Sequence, residues 1–395
     1  MKALYRILGL FLVLVSCAVP PDAPRLDLGK ISFNDLAGWR DDTQAPALAA
    51  FRRSCAKMAT APDDQPLDPA GGVGGRMADW RAACEAAGAV AKGDDGAARR
   101  FFETRFTPLR MSDRGETEGL FTGYYEPLLN GAKAPGGRFT VPIHGLPENL
   151  VTVDLGLFAD DLAARRIAGR VVDGALAPYH RRDEIVAGAL RGTAPVLAWV
   201  DDPVDAFFLH VQGSGRIGLV DGGVMRVGYA AANGRAYVSI GRTLIEQGAI
   251  SREAVSMQTI RAWLASNPER IDEILGRNPS YVFFRELVGD GPLGAQGVAL
   301  TPGRSLAVDR AFLPLGAPVW LDIMAPSADI GGPDRTLRRL VIAQDVGGAI
   351  KGPLRGDLFW GFGPEAEWVA GRMKHRGGYV LLLPKPLAEA MLGAS

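Results

Sequence analysis

Three carboxylates in the last quarter of the chain stand at matching places beside short apolar, strand-like runs. They are Asp309 in Leu306-Ala-Val-Asp-Arg310, Asp345 in Val341-Ile-Ala-Gln-Asp-Val-Gly-Gly348, and Asp357 in Arg355-Gly-Asp-Leu-Phe-Trp-Gly361. Asp345 ends an apolar run, where an acidic side chain is tolerated only with hydrogen-bond partners. The glycines at 347, 348 and 352 let the loop after it pass close to a ligand or another strand. Asp357 precedes Leu358-Phe359-Trp360. An apolar wall beside a carboxyl disfavours its ionised form and raises its pKa, as a general acid near neutral pH requires. Each aspartate also has a plainer reading. For Asp309 that reading leads: it ties down a turn. Asp345 is equally a buried partner orienting its neighbour. For Asp357 the proton-transfer reading leads.

Other chemistries find less support. The four histidines, His144, His180, His210 and His375, are scattered and make no metal-ligand spacing, so no metal or other cofactor is expected. Gln212-Gly-Ser214-Gly falls short of a hydrolase nucleophile elbow. Gly213-Ser-Gly215-Arg-Ile-Gly218 fits a dinucleotide fingerprint, but the residues after it read as paired strands around Asp221-Gly-Gly, not as the helix that must hold a pyrophosphate. Lys plus Arg equals Asp plus Glu at 44 each, so no global field draws the chain to nucleic acid.

The elements that must carry these residues are mostly short strands. With 50 Gly and 27 Pro in 395 residues the chain is rich in turns, which favours a β-rich class. Three- and four-residue apolar spacing predicts helices over 33–40, 47–58, 77–92 and 96–106, the first capped by Ser32 or Asn34. Strands are expected over 120–127, 139–143, 196–200, 207–212, 216–220 and 224–229, then helices over 239–247, 252–267 and 268–277. Strands return over 298–300, 306–309, 318–323, 339–344 and 379–383. The layout reads as mainly β with α additions, in two β-barrel-like bodies.

The first residues read as an address. Lys2 and Arg6 precede an apolar run over 7–15, too short to span a bilayer, and Leu14-Val-Ser-Cys17 resembles a bacterial lipoprotein box. Cys17 is then the lipidated residue after a signal peptide over 1–17, and residues 18–32 read as an extended tether. Ala18 after the cysteine favours the outer membrane, by resemblance to sorted lipoproteins. Cys55 and Cys84 are left to pair in an oxidising compartment or to stay as buried thiols.

At the aspartate motifs the chain resembles the membrane-bound lytic murein transglycosylase A family and, over 306–361, its three-aspartate domain. The resemblance covers roughly residues 105–385. It rests on Phe121-Thr-Gly-Tyr-Tyr-Glu-Pro127, Leu197-Ala-Trp-Val-Asp-Asp-Pro203, Phe208-Leu-His-Val-Gln-Gly-Ser-Gly215 and the Ala343–Asp357 stretch, in that order. The resemblance implies a double-psi β-barrel over 33–125 and 286–395, with a second, β-barrel-like substrate-binding domain inserted over 126–285. A groove between them would hold a glycan strand of peptidoglycan. Carried over by position, Asp357 is the acid/base and Asp345 supports it. Thr122, Tyr124, Gln212 and Ser214 are expected to touch sugar, and Asp309 is grouped with them as a further candidate.

One strong acid implies protonation of the bond between MurNAc and GlcNAc, with the muramyl C6 hydroxyl then closing on C1 to leave a 1,6-anhydro end. Tyr124, Tyr125, Trp199 and Trp360 could stack on sugar faces, though core positions suit them equally. The other readings are a water-using muramidase, with Asp345 as second carboxylate, and a non-catalytic peptidoglycan-binding lipoprotein. Expected partners are glycan strands, the outer membrane through the lipid anchor, and other cell-wall enzymes in the same compartment.

Overall fold

The computed structural model describes residues 24–67, 72–162, 165–289, 291–329 and 331–393. The apolar leader and Cys17 lie outside the described residues. Of the expected tether, Leu26–Lys30 is a strand, β1, whose Leu26 and Leu28 rest on the core. Residues 33–40 form only a 3-10 turn, Phe33–Asp35, capped by the Ser32 hydroxyl. The helix expected there ends where Leu36 turns extended, at a ψ of 100°, and Gly38 follows at a φ of 74°. Helix α1 (Ala45–Met58) carries Pro46 in its first turn and buries Leu48, Phe51, Cys55 and Met58 along one face. Helix α2 is Met77–Ala89, and α3 (Asp95–Arg105) is capped by Asp94, which accepts from the Ala97 amide at 2.7 Å. A disulfide joins Cys55 on α1 to Cys84 on α2, their Cα atoms 5.3 Å apart.

Strands β2 (Phe106–Asp113) and β3 (Gly119–Glu126) lead into a long insertion. It holds β4 (Leu128–Ala132), β5 (Val141–His144), β6 (Val151–Asp154), β7 (Arg166–Val172), β8 (Ala175–Pro178), the one-turn α4 (Arg182–Glu184) and β9 (Val196–Val200). Next come α5 (Pro203–Gln212), β10 (Ser214–Leu219), β11 (Val224–Ala232), α6 (Ile240–Glu246), α7 (Met257–Ser266), α8 (Ile271–Gly276) and β12 (Val282–Glu286). Residues 207–212, expected as a strand, belong to α5. Asp202 accepts from the Val204 amide at 2.7 Å, Pro203 fills the first helical position, and Gly213 closes the helix at a φ of 77°. These caps outweigh the β propensity of Phe207-Phe-Leu-His-Val. The Gly213–Gly218 fingerprint therefore follows a helix, and it runs into β10, which pairs with β11 around the Asp221-Gly-Gly turn.

The chain returns as β13 (Ser305–Val308), β14 (Pro318–Ala325), β15 (Arg335–Asp345), β16 (Arg355–Phe362), α9 (Pro364–Arg372), β17 (Lys374–Pro384) and α10 (Lys385–Gly393). The strand expected over 298–300 is reduced to one bridge, Leu293 to Ala299. The fold is mainly β with helices. An eight-stranded sheet runs β1-β2-β17-β14-β15-β13-β16-β3, and β17 pairs with β3 as well. The insertion supplies a six-stranded sheet, β12-β11-β10-β4-β9-β5, and a three-stranded one, β6-β7-β8.

The largest core lies between α1–α3 and the eight-stranded sheet, around Phe51, Trp80, Phe106 and Trp320. A second core packs Tyr125 of β3 and Ala366 and Ala370 of α9 against Phe207, Phe208 and Leu264 of the insertion. It binds the insertion to β3 and α9, with Trp360 of β16 packed against it. Among the described residues no helix is long and apolar enough to cross a membrane.

Candidate active site

Backbone register brings the carboxylates together. On β16, Asp357 pairs with Thr122 of the parallel strand β3 on one side and with Ala307 of β13 on the other. Ala307 in turn pairs with Asp345 of β15. Thr122, Asp357, Ala307 and Asp345 thus form one row across four strands, the two aspartates about 10 Å apart along the backbone ladder. The β13–β15 pairing shifts register between Leu306 and Ala307, so Gln344 is passed over and Asp345 is turned toward the row.

Gln344 fixes that bulge. It is fully buried and accepts from the Ser305 hydroxyl at 2.6 Å. Its amide donates to the Ala50 carbonyl and the Ser54 hydroxyl, each at 2.9 Å. The loop over 294–296 crosses directly above, and a Cβ on Gly294 would lie 2.4 Å from the Gln344 carbonyl oxygen. Only glycine permits that approach. The approach brings the Ala295 amide onto Asp345.

Asp345 is well anchored. Its Oδ1 accepts from the amides of Ala295 at 2.8 Å and Val346 at 2.9 Å, and its Oδ2 accepts from the Tyr124 hydroxyl at 2.8 Å. Burial raises its pKa, while those three donors hold the rise back. Tyr124 reaches across Ala307, its ring 5.2 Å from that of Phe359. Burial, then the Asp345 charge, push the Tyr124 hydroxyl well above its usual pKa, so it stays a donor.

Asp357 is half-buried. Its Oδ1 accepts from the Thr122 hydroxyl at 2.7 Å. Burial pushes its pKa from 3.8 up to about 6; the Thr122 bond and the Arg355 charge oppose the shift, and the Asp345 charge adds to it. Of the expected apolar wall, Phe359 lies two residues along the same strand face as Asp357, while Leu358 turns into the main core. Trp360 packs behind Gly123, and its indole donates to Met373 sulfur at 3.4 Å.

The row unites four of the residues expected from sequence: Thr122, Tyr124, Asp345 and Asp357. Gln212 is attached to it indirectly, its Oε1 accepting from the Tyr125 amide at 3.0 Å. Ser214 is buried at the start of β10. Asp309 accepts from the amides of Gly352 at 2.8 Å and Ala311 at 3.2 Å, so it ties the 346–354 loop to the turn after β13. Tyr125 is in the core and unavailable for stacking on a sugar.

Sequence reasoning passed over Arg355, whose Nη2 donates to Thr122 Oγ1 at 2.8 Å, and Gln344. The period of two along β16 was the available signal for Arg355, two residues before Asp357. The arrangement offers a half-buried carboxyl that holds its proton to near neutral pH, beside a second carboxylate occupied with structural bonds. That pairing of unequal carboxyls is chemically suited to proton transfer.

Known proteins point the same way. A family profile described as the MltA specific insert domain matches residues 120–285, and a 3D domain profile matches 304–383. Membrane-bound lytic murein transglycosylase A of Vibrio cholerae is 34% identical over 270 residues, 67% of this chain; the chain spans 65% of that relative's length. The crystal structure of membrane-bound lytic murein transglycosylase from Agrobacterium tumefaciens is similar with a TM-score of 0.81 at 35% identity, over 92% of this chain and 99% of that one. Escherichia coli MltA with bound chitohexaose is similar with a TM-score of 0.62 at 28% identity, over 92% of each chain. This chain belongs to the membrane-bound lytic murein transglycosylase A family.

Proposed function

We propose that the protein is a peptidoglycan lytic transglycosylase that cleaves the β-1,4 bond between MurNAc and GlcNAc and leaves 1,6-anhydro-muramyl ends. The observation that carries this reading is the unequal state of the two aspartates. Asp357 has a pKa of about 6 and one oxygen that accepts from no donor among the described residues, whereas Asp345 accepts three hydrogen bonds from Ala295, Val346 and Tyr124. A water-using glycosidase needs a second carboxylate free to activate water or attack the sugar. Asp345 is poorly placed for that and well placed to hold Tyr124.

In the proposed reaction Asp357 donates its proton to the bridging oxygen as the C1–O bond breaks and the bonding pair leaves with that oxygen. The substrate's N-acetyl group steadies the charge developing at C1. The Asp357 carboxylate then accepts the proton of the muramyl C6 hydroxyl as that oxygen bonds to C1, and the acid is restored with no water consumed. The internal hydroxyl outcompetes solvent by proximity. The relative solved with chitohexaose supports a glycan ligand. Thr122, Tyr124, Gln212 and Ser214 are proposed to contact the strand directly or to shape its path.

We read the pairings that lead from β17 through β14, β15, β13, β16 and β3 back to β17 as a double-psi β-barrel, and residues 126–285 as the inserted substrate-binding domain. The Cys17 lipid anchor on the outer membrane, facing the periplasm, belongs to the same proposal. Cys17 is followed by at most roughly 30 Å of extended chain before β1, which would hold the catalytic body close to the bilayer.

The test is mass spectrometry of products from purified sacculi, for the native protein and for Asp357→Asn. Anhydro-muramyl ends that disappear in the variant are the expected result. Ends carrying an added water would replace this reading with the muramidase, and sacculi bound but uncut would replace it with a binding protein.

A further inference from the structure

We propose that Arg355 is a positioning residue that orients the Thr122 hydroxyl and so decides which oxygen of Asp357 carries the transferable proton; this rests on the transglycosylase reading. Register builds the contact. Arg355 and Asp357 are two residues apart on β16, and Leu120 and Thr122, their pairing partners, are two apart on the parallel strand β3. The guanidinium and carboxylate therefore share a face and meet over the same threonine. Arg355 is held in place by the carbonyl oxygens of Leu120, at 3.1 Å, and of Gly356.

A threonine hydroxyl has one hydrogen to donate and lone pairs to accept with, while a guanidinium only donates. Arg355 Nη2 lies 2.8 Å from Thr122 Oγ1, so that contact uses a lone pair of the hydroxyl. The single Thr122 hydrogen is left for Asp357 Oδ1 at 2.7 Å. A proton on Oδ1 would set two hydrogens between the same pair of oxygens, or turn the Thr122 hydrogen away from its acceptor. The acid proton therefore sits on Oδ2. That oxygen gives it to the bridging oxygen as the C1–O bond breaks and takes one back from the C6 hydroxyl as the new C1–O bond forms, so the count balances. Without Arg355 the hydroxyl turns freely, and part of the population holds its proton on Oδ1, against Thr122 and away from substrate.

The experiment measures kcat and KM against pH for anhydro-muramyl release by the full chain, with Arg355→Met, Arg355→Lys, Thr122→Val and the Arg355→Met/Thr122→Val double variant. With Arg355→Met, kcat falls roughly tenfold, the loss of a well-placed charge-assisted hydrogen bond, while KM stays about the same. The alkaline limb of the rate moves up by about one pH unit, because the cation that favours ionised Asp357 is gone. Arg355→Lys keeps the charge without the forked geometry, so it returns the limb to its native place and leaves kcat low. In kcat at each variant's own optimum pH the double variant is no worse than Thr122→Val alone, since the arginine orients the acid proton through the threonine, while its charge acts on Asp357 directly and moves only the limb.

Losses that multiply in the double variant, or an unmoved alkaline limb, overturn the proposal. If Arg355→Met does not fold, Arg355→Lys with native kcat overturns it equally. Failure of the parent reading looks different: the native protein itself then releases no anhydro ends.

Discussion

Replacing Asp357 by asparagine should stabilise the folded protein, and by an amount that depends on pH in a specified direction. The folded-state pKa is raised from 3.8 to about 6. Between those values the native state binds the proton that the unfolded chain releases, so native stability falls as pH rises through the window and levels off above it. At about 1.4 kcal/mol per unit, a shift of roughly two units amounts to about 3 kcal/mol, and partial solvent access to the half-buried carboxyl trims this to about 2 kcal/mol. Asparagine keeps an oxygen to accept from Thr122, and it cannot ionise. The variant and the native protein should therefore be nearly equally stable near pH 4. By about pH 7 to pH 8 the variant should lead by about 2 kcal/mol. Urea unfolding of both proteins across that range measures the difference directly, and other titrating groups cancel in it. A difference that stays flat with pH, or one that grows as pH falls, would refute the claim that burial dominates at Asp357. The same raised pKa sets the rate: kcat/KM should decline above a pH of about 6 as the acid loses its proton.

Tyr124→Phe removes the hydroxyl that donates to Asp345 at 2.8 Å; turnover of sacculi should fall by about tenfold, with the fold intact by circular dichroism. Gly123→Ala would set a Cβ 2.8 Å from the Trp360 ring and 2.9 Å from the Ala370 Cα. Thermal unfolding should report a loss of about 1–3 kcal/mol, and activity should drop with it because Thr122 and Tyr124 flank the site. The paired Cys55→Ser and Cys84→Ser variant opens a loop with a separation of 29 residues and should lose about 3 kcal/mol in chemical denaturation, while kcat at room temperature stays near native.

How far the site could be read from sequence depended on the range of the physics involved. Asp357 and Asp345 were legible because an acid at the edge of an apolar run is a local anomaly, visible without any fold. Thr122 and Tyr124 lie 235 and 221 residues from the aspartates they touch, so only resemblance pointed to them. Arg355 adjoins Asp357 in sequence, yet its role depends on parallel pairing with β3, which no local pattern encodes. The error over 207–212 was of another kind. Apolar, aromatic composition was weighed there above Asp202, Pro203 and Gly213, whose start and stop signals decide the helix. The β6–β8 sheet went unseen because β6 and β8 are only four residues long and β7, Arg166–Val172, lacks a two-residue alternation, with Val171 left 63% exposed.

The placing of Asp357 beside Thr122 is set by strand register, and the insertion is built onto the same strand, β3. β3 carries Thr122 on the row and Tyr124 beside it, and ends in Glu126, which is 1% exposed and bonded to Arg216 of β10 at 3.1 Å and Arg226 of β11 at 3.3 Å. Between them the Tyr125 amide donates to Gln212 at the end of α5, and the Tyr125 ring sits in the core shared by the insertion and α9. Removing one partner of a buried ion pair costs about 3–5 kcal/mol because the other charge is left unpaired, so loss of either arginine would strand the buried Glu126 carboxylate at this junction. The register of Asp357 is thus set by the pairings of β16 with Thr122 and Ala307, and the insertion is fastened through Tyr125 and Glu126 to the end of that same strand β3.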